Sequence, residues 1–435
     1  MTDATADTRF SGPGFALPGV ELGVATAATQ IEGGDADTNW HRWAAQPGRI
    51  ADGSSPARAA DHWNRVEQDV ALLGELGVKH YRMGLEWARL EPSPGAFDTA
   101  AFAHYRDELT RLKTAGIVPL VTLHHFNNPW WFERTGGFES PSALVVFDRY
   151  VRTVVESLGD LVQDWVTVNE PNVYATKGWV DGEWPPGVTG SIVRAQRVMQ
   201  VLAVAHIRAY QAIHASFPDA RVGVANHLRV FAPRQRWNPL DHVSAHAARY
   251  LFQAALTRAF SHGRFLAPFV QPKGIEPGRY YDFQGINYYS RSSVSGLADG
   301  VAVDVPLNDL GWEIYPRGLA EVARWTHENF PGPIWITENG TADSADAFRS
   351  RFLYEHLAVI AGSGLPVERF YHWCFTDNFE WAAGEQPRFG LVALDYENQS
   401  RTIRESGRFY RDVSANGGVT AAAYDRWVAD QRYPR

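Results

Sequence analysis

Residues 101–126 read AFAHYRDELTRLKTAGIVPLVTLHHF, and this stretch holds the repeating unit that decides the fold. Apolar residues recur at helical spacing from Ala101 to Ala115, and Gly116 stands where a glycine commonly ends a helix. The run 118–126 that follows is apolar and ends in polar residues, which is typical of a buried strand. A helix that leads directly into a buried strand indicates a parallel α/β protein.

This unit recurs along the whole chain, and no linker rich in proline, glycine or serine divides the sequence. Eight runs predict strands, and eight repeats predict closure into one (β/α)8 barrel, the TIM barrel. We expect residues 1–435 to form this single domain, with residues 1–15 packing loosely at its start. The predicted strands are Leu22–Thr29, His80–Trp87, Val118–Phe126, Trp165–Glu170, Arg221–Asn226, Phe283–Ser290, Ile334–Glu338 and Arg369–Thr376. The predicted helices are Trp63–Leu76, Ala101–Ala115, Pro141–Leu158, Ser191–Ala215, His242–Phe260, Pro316–Asn329 and Ala347–Ala361.

Polar side chains follow seven of the predicted strands at the point where each strand ends. Barrel enzymes carry their catalytic groups at the carboxyl ends of the strands. Carboxylates and amides are costly there unless they are solvated, paired or hydrogen-bonded, so their convergence predicts a site for a polyhydroxylated ligand. The polar ends are residues 30–32, 86–87, 124–127, 169–170, 287–289, 338–339 and 373–381.

Composition argues against several classes of partner. The formal net charge is -8 and charged residues make up 21% of the chain, which gives no basic surface for a nucleic acid. No window approaches roughly 18 uninterrupted apolar residues, so we expect no membrane span. The first ten residues lack the basic and apolar segments of a secretory signal. With Cys374 as its single cysteine the chain has no internal disulfide, and we expect a cytoplasmic protein.

The 15 histidines do not form a recognisable metal-ligand set. His242 and His246 lie four residues apart on a predicted helix, but no third ligand accompanies them. We therefore predict no metal and no cofactor. His124 points away from its neighbour His125 on a strand and is interpreted as structural, as is His206 on a helix.

Aromatic residues make up 13% of the chain, including 16 tryptophans. Most of them are expected to fill a large core. Some fit a sugar site, because the faces of pyranose rings pack on indole while their hydroxyls take directed hydrogen bonds.

Several motifs, taken in order, resemble glycoside hydrolase family 1, the β-glucosidase family. The resemblance runs nearly end to end, and the pairing of Asn-Glu-Pro on strand four with Thr-Glu-Asn-Gly on strand seven is its most specific part. It implies a (β/α)8 barrel and a retaining β-glycosidase whose substrate is a small β-glycoside or oligosaccharide. The motifs are ATAATQIEG at 25–33, YRMGLEWAR at 81–89, TVNEP at 167–171, WPPG at 184–187, GINYY at 285–289, ITENG at 336–340, DNFEW at 377–381 and RFG at 388–390.

The resemblance also implies roles for individual residues. Glu170 would be the general acid/base and Glu338 the nucleophile, with Tyr289 bonded to Glu338 and Arg82 beneath it. Asn169 would hold the sugar 2-hydroxyl, a hydrogen bond that strengthens in the transition state. The remaining residues that the family implies are Gln30, His125 and Glu380 for other hydroxyls, Trp373, Trp381 and Phe389 for the apolar walls, and Asn287 as a support.

The chain departs from the family pattern in three places. His125 is followed by Phe126 and Asn127, where the family has Trp and then Asp. The segment after Glu338 is short, which predicts an unusual aglycone entrance. The Ser and Lys that bind a 6-phosphate in some members are absent near Glu380, so we expect an unphosphorylated glycone.

The same two glutamates are compatible with other activities. A diglycosidase that releases an intact disaccharide, a transglycosylase, and a catalytically dead sugar-binding barrel are the alternatives. The glycone is open among glucose, galactose, fucose and a disaccharide, since one hydroxyl orientation separates the first two. Glu86 fits either a supporting position behind the site or a contact with the aglycone.

Overall fold

The computed structural model describes residues 11–296 and 298–434 and contains a closed barrel of eight parallel strands. Each strand pairs with the next along the chain, and the eighth pairs with the first. The barrel strands are β1 Glu21–Ala25, β2 His80–Gly84, β3 Val118–His124, β4 Asp164–Asn169, β5 Arg221–His227, β6 Gln284–Asn287, β7 Ile334–Asn339 and β8 Val367–Trp373.

Helices surround the barrel and alternate with its strands, which confirms the predicted (β/α)8 fold. Their buried faces pack on the outside of the sheet and join it in one extensive apolar core. The long helices are α1 Val66–Glu75, α2 Thr99–Thr114, α3 Ala143–Leu158, α4 Ile192–Ser216, α5 Pro239–Arg249, α6 Ala255–His262, α7 Arg317–Asn329, α8 Arg349–Ala361, α9 Glu405–Asn416 and α10 Ala421–Trp427. Short helices cover Ala28–Ile31, Asn39–Ala44, Trp87–Leu90, Trp130–Glu133 and Pro171–Thr176, with a π-helical turn at Lys177–Asp181.

The predicted strands are correctly placed, but several extend too far at their carboxyl ends. β1 ends at Ala25 rather than Thr29, because the chain turns into the helix Ala28–Ile31. β2 ends at Gly84, before the helix Trp87–Leu90. The polar ends therefore belong to turns above the barrel, which carry their side chains over its mouth.

One predicted helix is interrupted in the structure, and two long helices near the end of the chain were missed. The segment 242–260 is not a single helix: a π-helical turn, Tyr250–Ala254, separates α5 from α6. The sequence predicts no helix for α9 or α10; α9 packs against α8 and completes the outer layer after β8, and α10 packs against α9.

The two ends of the described chain meet. Phe15 pairs with Val419, and Ala16 with Gly418, in a short antiparallel ladder. The Tyr354 hydroxyl donates to the carbonyl of Pro13. Residues 1–10, most of the segment expected to pack loosely, lie outside the described residues.

An ion-pair network closes the amino-terminal end of the barrel. Asp164, fully buried, accepts hydrogen bonds from Arg221 at 2.8 Å and from Arg369 at 2.7 Å. Both guanidinium groups lie over the Trp335 ring, which stacks on Phe283 with centroids 3.6 Å apart. Because buried charges are tolerated when they are paired and hydrogen-bonded, this network holds four strands in register.

The close approach of β5 and β6 gives a prediction for stability. A Cβ added at Gly285 would stand 2.4 Å from the Val224 carbonyl oxygen, so Gly285→Ala must push two barrel strands apart. We expect a loss of about 1–3 kcal/mol and a lower midpoint of thermal unfolding. The control is Gly74→Ala on α1, where a Cβ meets nothing within 4 Å. It should raise the midpoint slightly, because alanine favours helix; equal midpoints in the two variants would contradict the packing argument.

Candidate active site

A cleft of about 290 Å³ opens at the carboxyl ends of the strands. It lies on the opposite side of the barrel from the Asp164 network. Both candidate catalytic glutamates line it, together with aromatic, basic and apolar side chains from six segments. Its lining includes His125, Phe126, Glu170, Val173, Lys177, Trp184, His227, Arg229, Tyr289, Leu310, Trp312, Glu338, Trp373, Glu380 and Trp381.

Glu338 lies near the carboxyl end of β7 and is paired with a buried arginine. Arg82 on β2 donates to Glu338 Oε1 at 2.5 Å, and the Tyr289 hydroxyl donates to Oε2 at 2.6 Å. Burial raises the pKa of Glu338 to about 7, the positive charge of Arg82 lowers it, and the negative charge of Glu170 raises it. The ionised form of Glu338 therefore depends on Arg82.

Glu170 directly follows β4 and has a different environment. Its backbone is left-handed, with φ 41° and ψ 59°, and Pro171 begins a helix immediately after it. Asn287 donates to Glu170 Oε1 at 2.8 Å, and His227 Nδ1 lies 3.1 Å from the same oxygen. Within the described part of the chain no hydrogen bond reaches Oε2, so this oxygen is open to a ligand.

His227 and Arg229 are site residues that the sequence reasoning missed. Arg229 Nε donates to His227 Nε2 at 3.2 Å, so the ring proton of the neutral imidazole stands on Nδ1 and is donated to Glu170. Burial lowers the pKa of His227 and favours this neutral form. The signal that could have found His227 is its place directly after the predicted strand Arg221–Asn226.

Asn169 links the two glutamates. Its Oδ1 accepts from Arg82 at 2.6 Å and from Asn287 at 3.0 Å, while its Nδ2 donates to His125 Nε2 at 2.9 Å. The Nδ1 atom of His125 is buried and has no partner among the described residues.

Gln30 and Glu380 form a second polar group. Gln30 Nε2 donates to Asn378 at 3.1 Å and lies 3.3 Å from Glu380 Oε2. Its Oε1 is buried without a partner in the ranges that the structure describes. Burial raises the pKa of Glu380 to about 8, and the negative charge of Glu338 adds to this rise.

Aromatic rings form one wall of the cleft. The Trp381 ring centroid lies 5.2 Å from that of Phe126 and 5.8 Å from that of Trp184, and Trp373 lies 5.9 Å from His125. Phe126 has no N–H to donate, so this position offers a substrate only apolar contact.

Six expected residues lie outside the lining of the cleft: Gln30, Arg82, Glu86, Asn169, Asn287 and Phe389. Phe389 packs behind it, with its ring 6.0 Å from Trp312. Glu86 is buried, accepting hydrogen bonds from Thr29 at 2.5 Å and Asn127 at 2.8 Å. Asn127, which stands where the family has Asp, therefore holds Glu86 in place by a hydrogen bond, and Glu86 lies behind the cleft.

The described residues contain no group of three or more His, Cys, Asp or Glu side chains placed to hold a metal ion. They also contain no helix long and apolar enough to cross a membrane. His124 bonds to Asn128, and His206 bonds to Thr167 and Tyr280 in the core.

The chain is similar to glycoside hydrolases of known sequence and structure. The sequence model of glycosyl hydrolase family 1 matches residues 19–271 and 279–419. Beta-glucosidase A of Thermotoga maritima is 31% identical over 91% of this chain and 97% of its own length. A beta-galactosidase of Pyrococcus woesei is 26% identical over 92% of this chain and 96% of its own. The structure of a Thermotoga maritima family 1 glycoside hydrolase, complexed with a cyclophellitol analogue transition state mimic, superposes with a TM-score of 0.87. It has 30% identity and covers 94% of this chain and 100% of its own.

The raised pKa of Glu380 predicts a pH-dependent stability. The folded protein holds this proton more tightly than the unfolded chain, so the stabilisation is complete below about pH 4.5 and is lost as the pH rises through 8. Glu380→Gln should therefore be more stable than the parent at pH 8, by on the order of 1 kcal/mol, and gain little at pH 5. Thermal unfolding midpoints at both pH values test this, and an equal difference at the two would contradict it.

Proposed function

The chain belongs to glycosyl hydrolase family 1 and is a retaining β-glycosidase, and on this premise we propose that Glu338 is its nucleophile and Glu170 its acid/base. The contrast between the partners of the two glutamates carries the proposal. Glu338 is bonded to a cation and a hydroxyl, which stabilise a carboxylate. Glu170 keeps one oxygen to which none of the described residues donates a hydrogen bond, and this oxygen can hold a transferable proton.

In the first step the Glu338 carboxylate attacks the anomeric carbon while the bond to the leaving oxygen breaks. Glu170 gives its proton to that oxygen, and the aglycone departs as an alcohol. Arg82 and Tyr289 align the attacking group from below. The hydrogen bonds from Asn287 and His227 to Glu170 Oε1 fix the orientation of the acid.

In the second step water replaces the aglycone. The glycosyl ester has consumed the negative charge of Glu338, so the neighbouring Glu170 is now a carboxylate beside a neutral group. It takes a proton from water, whose oxygen attacks the anomeric carbon and releases Glu338. Two inversions give net retention of configuration.

The glycone is proposed to be an unphosphorylated hexose, as in a β-glucoside or β-galactoside. Gln30, His125, Asn169 and Glu380 would bind its hydroxyls, and Trp373 and Trp381 would contact its apolar face. A phosphate would meet the acidic group of Glu380 in this part of the cleft. The comparisons do not favour the diglycosidase, the transglycosylase or the inactive barrel.

We further propose a single catalytic domain acting in the cytoplasm. One continuous core cluster supports the single domain, since it includes residues from Leu17 to Val428. The one cysteine, Cys374, is buried, so the fold does not rely on an oxidising compartment.

Removal of the proposed nucleophile gives a direct test. Glu338→Gly should hydrolyse nitrophenyl β-glycosides at least about 10³-fold more slowly. Added azide should restore turnover by entering the vacated space and should yield the α-glycosyl azide, the product of a single inversion. NMR of the product identifies the anomer. A folded variant that no external nucleophile rescues, or a β-azide product, would exclude Glu338 from this role.

The proposed positioning of Glu170 by His227 predicts a dependence on the leaving group. His227→Ala should lower kcat/KM roughly tenfold or more for alkyl β-glycosides, which need protonation of the leaving oxygen. It should change dinitrophenyl glycosides little, because their leaving groups need almost no acid. His227→Asn, which keeps a donor, is the matched control. Equal losses on both substrate types would indicate general disruption instead.

A further inference from the structure

A second recess adjoins the catalytic cleft on the side of Glu170. Its volume is about 470 Å³, within the usual range of small-molecule sites. It shares Val173, Lys177 and Arg229 with the cleft, so the two recesses are neighbours on either side of these side chains. We call it the apolar groove; its wall includes Val173, Val180, Ile192, Met199, Leu251 and Phe252.

Phe252 marks the point where the groove begins. Its ring packs edge-on against His227 with centroids 6.0 Å apart, and the Arg229 guanidinium lies 5.3 Å from it. Only the Phe252 ring therefore lies between the groove and His227, the histidine that bonds Glu170. The leaving oxygen must stand beside Glu170 to receive its proton, so the aglycone enters the cleft on this side.

The two positive charges at the junction, on Lys177 and Arg229, are already paired with carboxylates of the protein. Lys177 lies 3.0 Å from Asp181 and 2.7 Å from Glu183. Arg229 lies 3.3 Å from Asp299 and bonds to His227. An anionic aglycone would find no unpaired cation here, whereas a neutral apolar chain would displace water from the groove without disturbing these pairs.

The outer margin of the groove leaves apolar surface in water. Ile192 at the start of α4 is 55% exposed, and Leu251 in the π-helical turn is 42% exposed. Their side chains gain free energy when a ligand covers them. A helix interrupted between α5 and α6 also places Ala248 and Phe252 on the wall.

From this geometry we propose that the groove binds the apolar chain of the aglycone, so that the enzyme prefers β-glycosides of long-chain alcohols. The proposal rests on the assignment of Glu170 as the acid, which decides the side on which the aglycone lies. A third recess, lined by Arg229, Arg291 and Ser292 among others, is the polar alternative, suited to a further sugar unit.

The test uses n-alkyl 1-thio-β-glycosides, which resist hydrolysis, as inhibitors of nitrophenyl glycoside turnover. The glycone is the one hydrolysed fastest as its nitrophenyl glycoside, and concentrations stay below micelle formation. KI should fall about two- to fourfold for each added methylene until the groove is full, roughly thirtyfold or more from methyl to octyl. A KI independent of chain length would overturn the proposal, as would improvement only with added sugar units.

Two variants of α5 make the assignment specific. Ala248→Trp should fill the groove and reduce the methyl-to-octyl ratio of KI to below about tenfold. Val243→Trp is the matched control, because Val243 is 66% exposed and does not line the groove. Because the methyl and octyl KI values are measured on the same preparation, their ratio does not depend on how much of the variant is folded. An unchanged ratio in Ala248→Trp would contradict the location of the chain.

The same inhibitors separate this inference from the proposed function. Titration calorimetry gives Kd for each thioglycoside whether or not the enzyme turns over. Chain-length-dependent Kd without any hydrolysis would overturn the catalytic roles while supporting the groove. If the enzyme hydrolyses glycosides but Kd does not change with the length of the alkyl chain, only the proposal for the apolar groove is overturned.

Discussion

The charge of Arg82 is the constraint on which the rest of the site depends. Its guanidinium is fully buried, and a buried cation costs several kcal/mol unless it is paired and hydrogen-bonded. It donates hydrogen bonds to three side chains from other strands: Thr122 on β3, Asn169 on β4 and Glu338 on β7. Through Asn169 and Asn287 the same chain of hydrogen bonds reaches Glu170. One buried cation thus sets the separation and orientation of both glutamates.

This arrangement also explains how similar side chains acquire different properties. Glu338 and Glu380 are both removed from water, which favours their neutral forms, but only Glu338 bonds directly to Arg82. Glu170 instead accepts from a neutral amide and a neutral imidazole. The barrel supplies each carboxyl group from a different strand end, so the differences follow from position in the sheet rather than from local sequence.

The sequence predicted the eight strands because each is a buried apolar run bounded by polar residues. It misplaced their carboxyl ends because a single helical turn, such as Ala28–Ile31, continues the apolar pattern of the strand before it. Glu170 and Glu338 were identified because their motifs are specific. His227 was missed because a lone histidine after a strand carries little information without its neighbours, and Trp312 because it stands in a segment without periodicity.

The ladder between Phe15 and Val419 bears on the order in which the elements follow one another along the chain. With β8 also paired to β1, the strand at Phe15–Ala16 near the start of the described chain lies beside the strand at Gly418–Val419 near its end. Because the barrel is closed, the contacts between neighbouring strands do not depend on which strand is synthesised first. A circularly permuted gene that opens the chain in an exposed turn encodes the same set of barrel contacts.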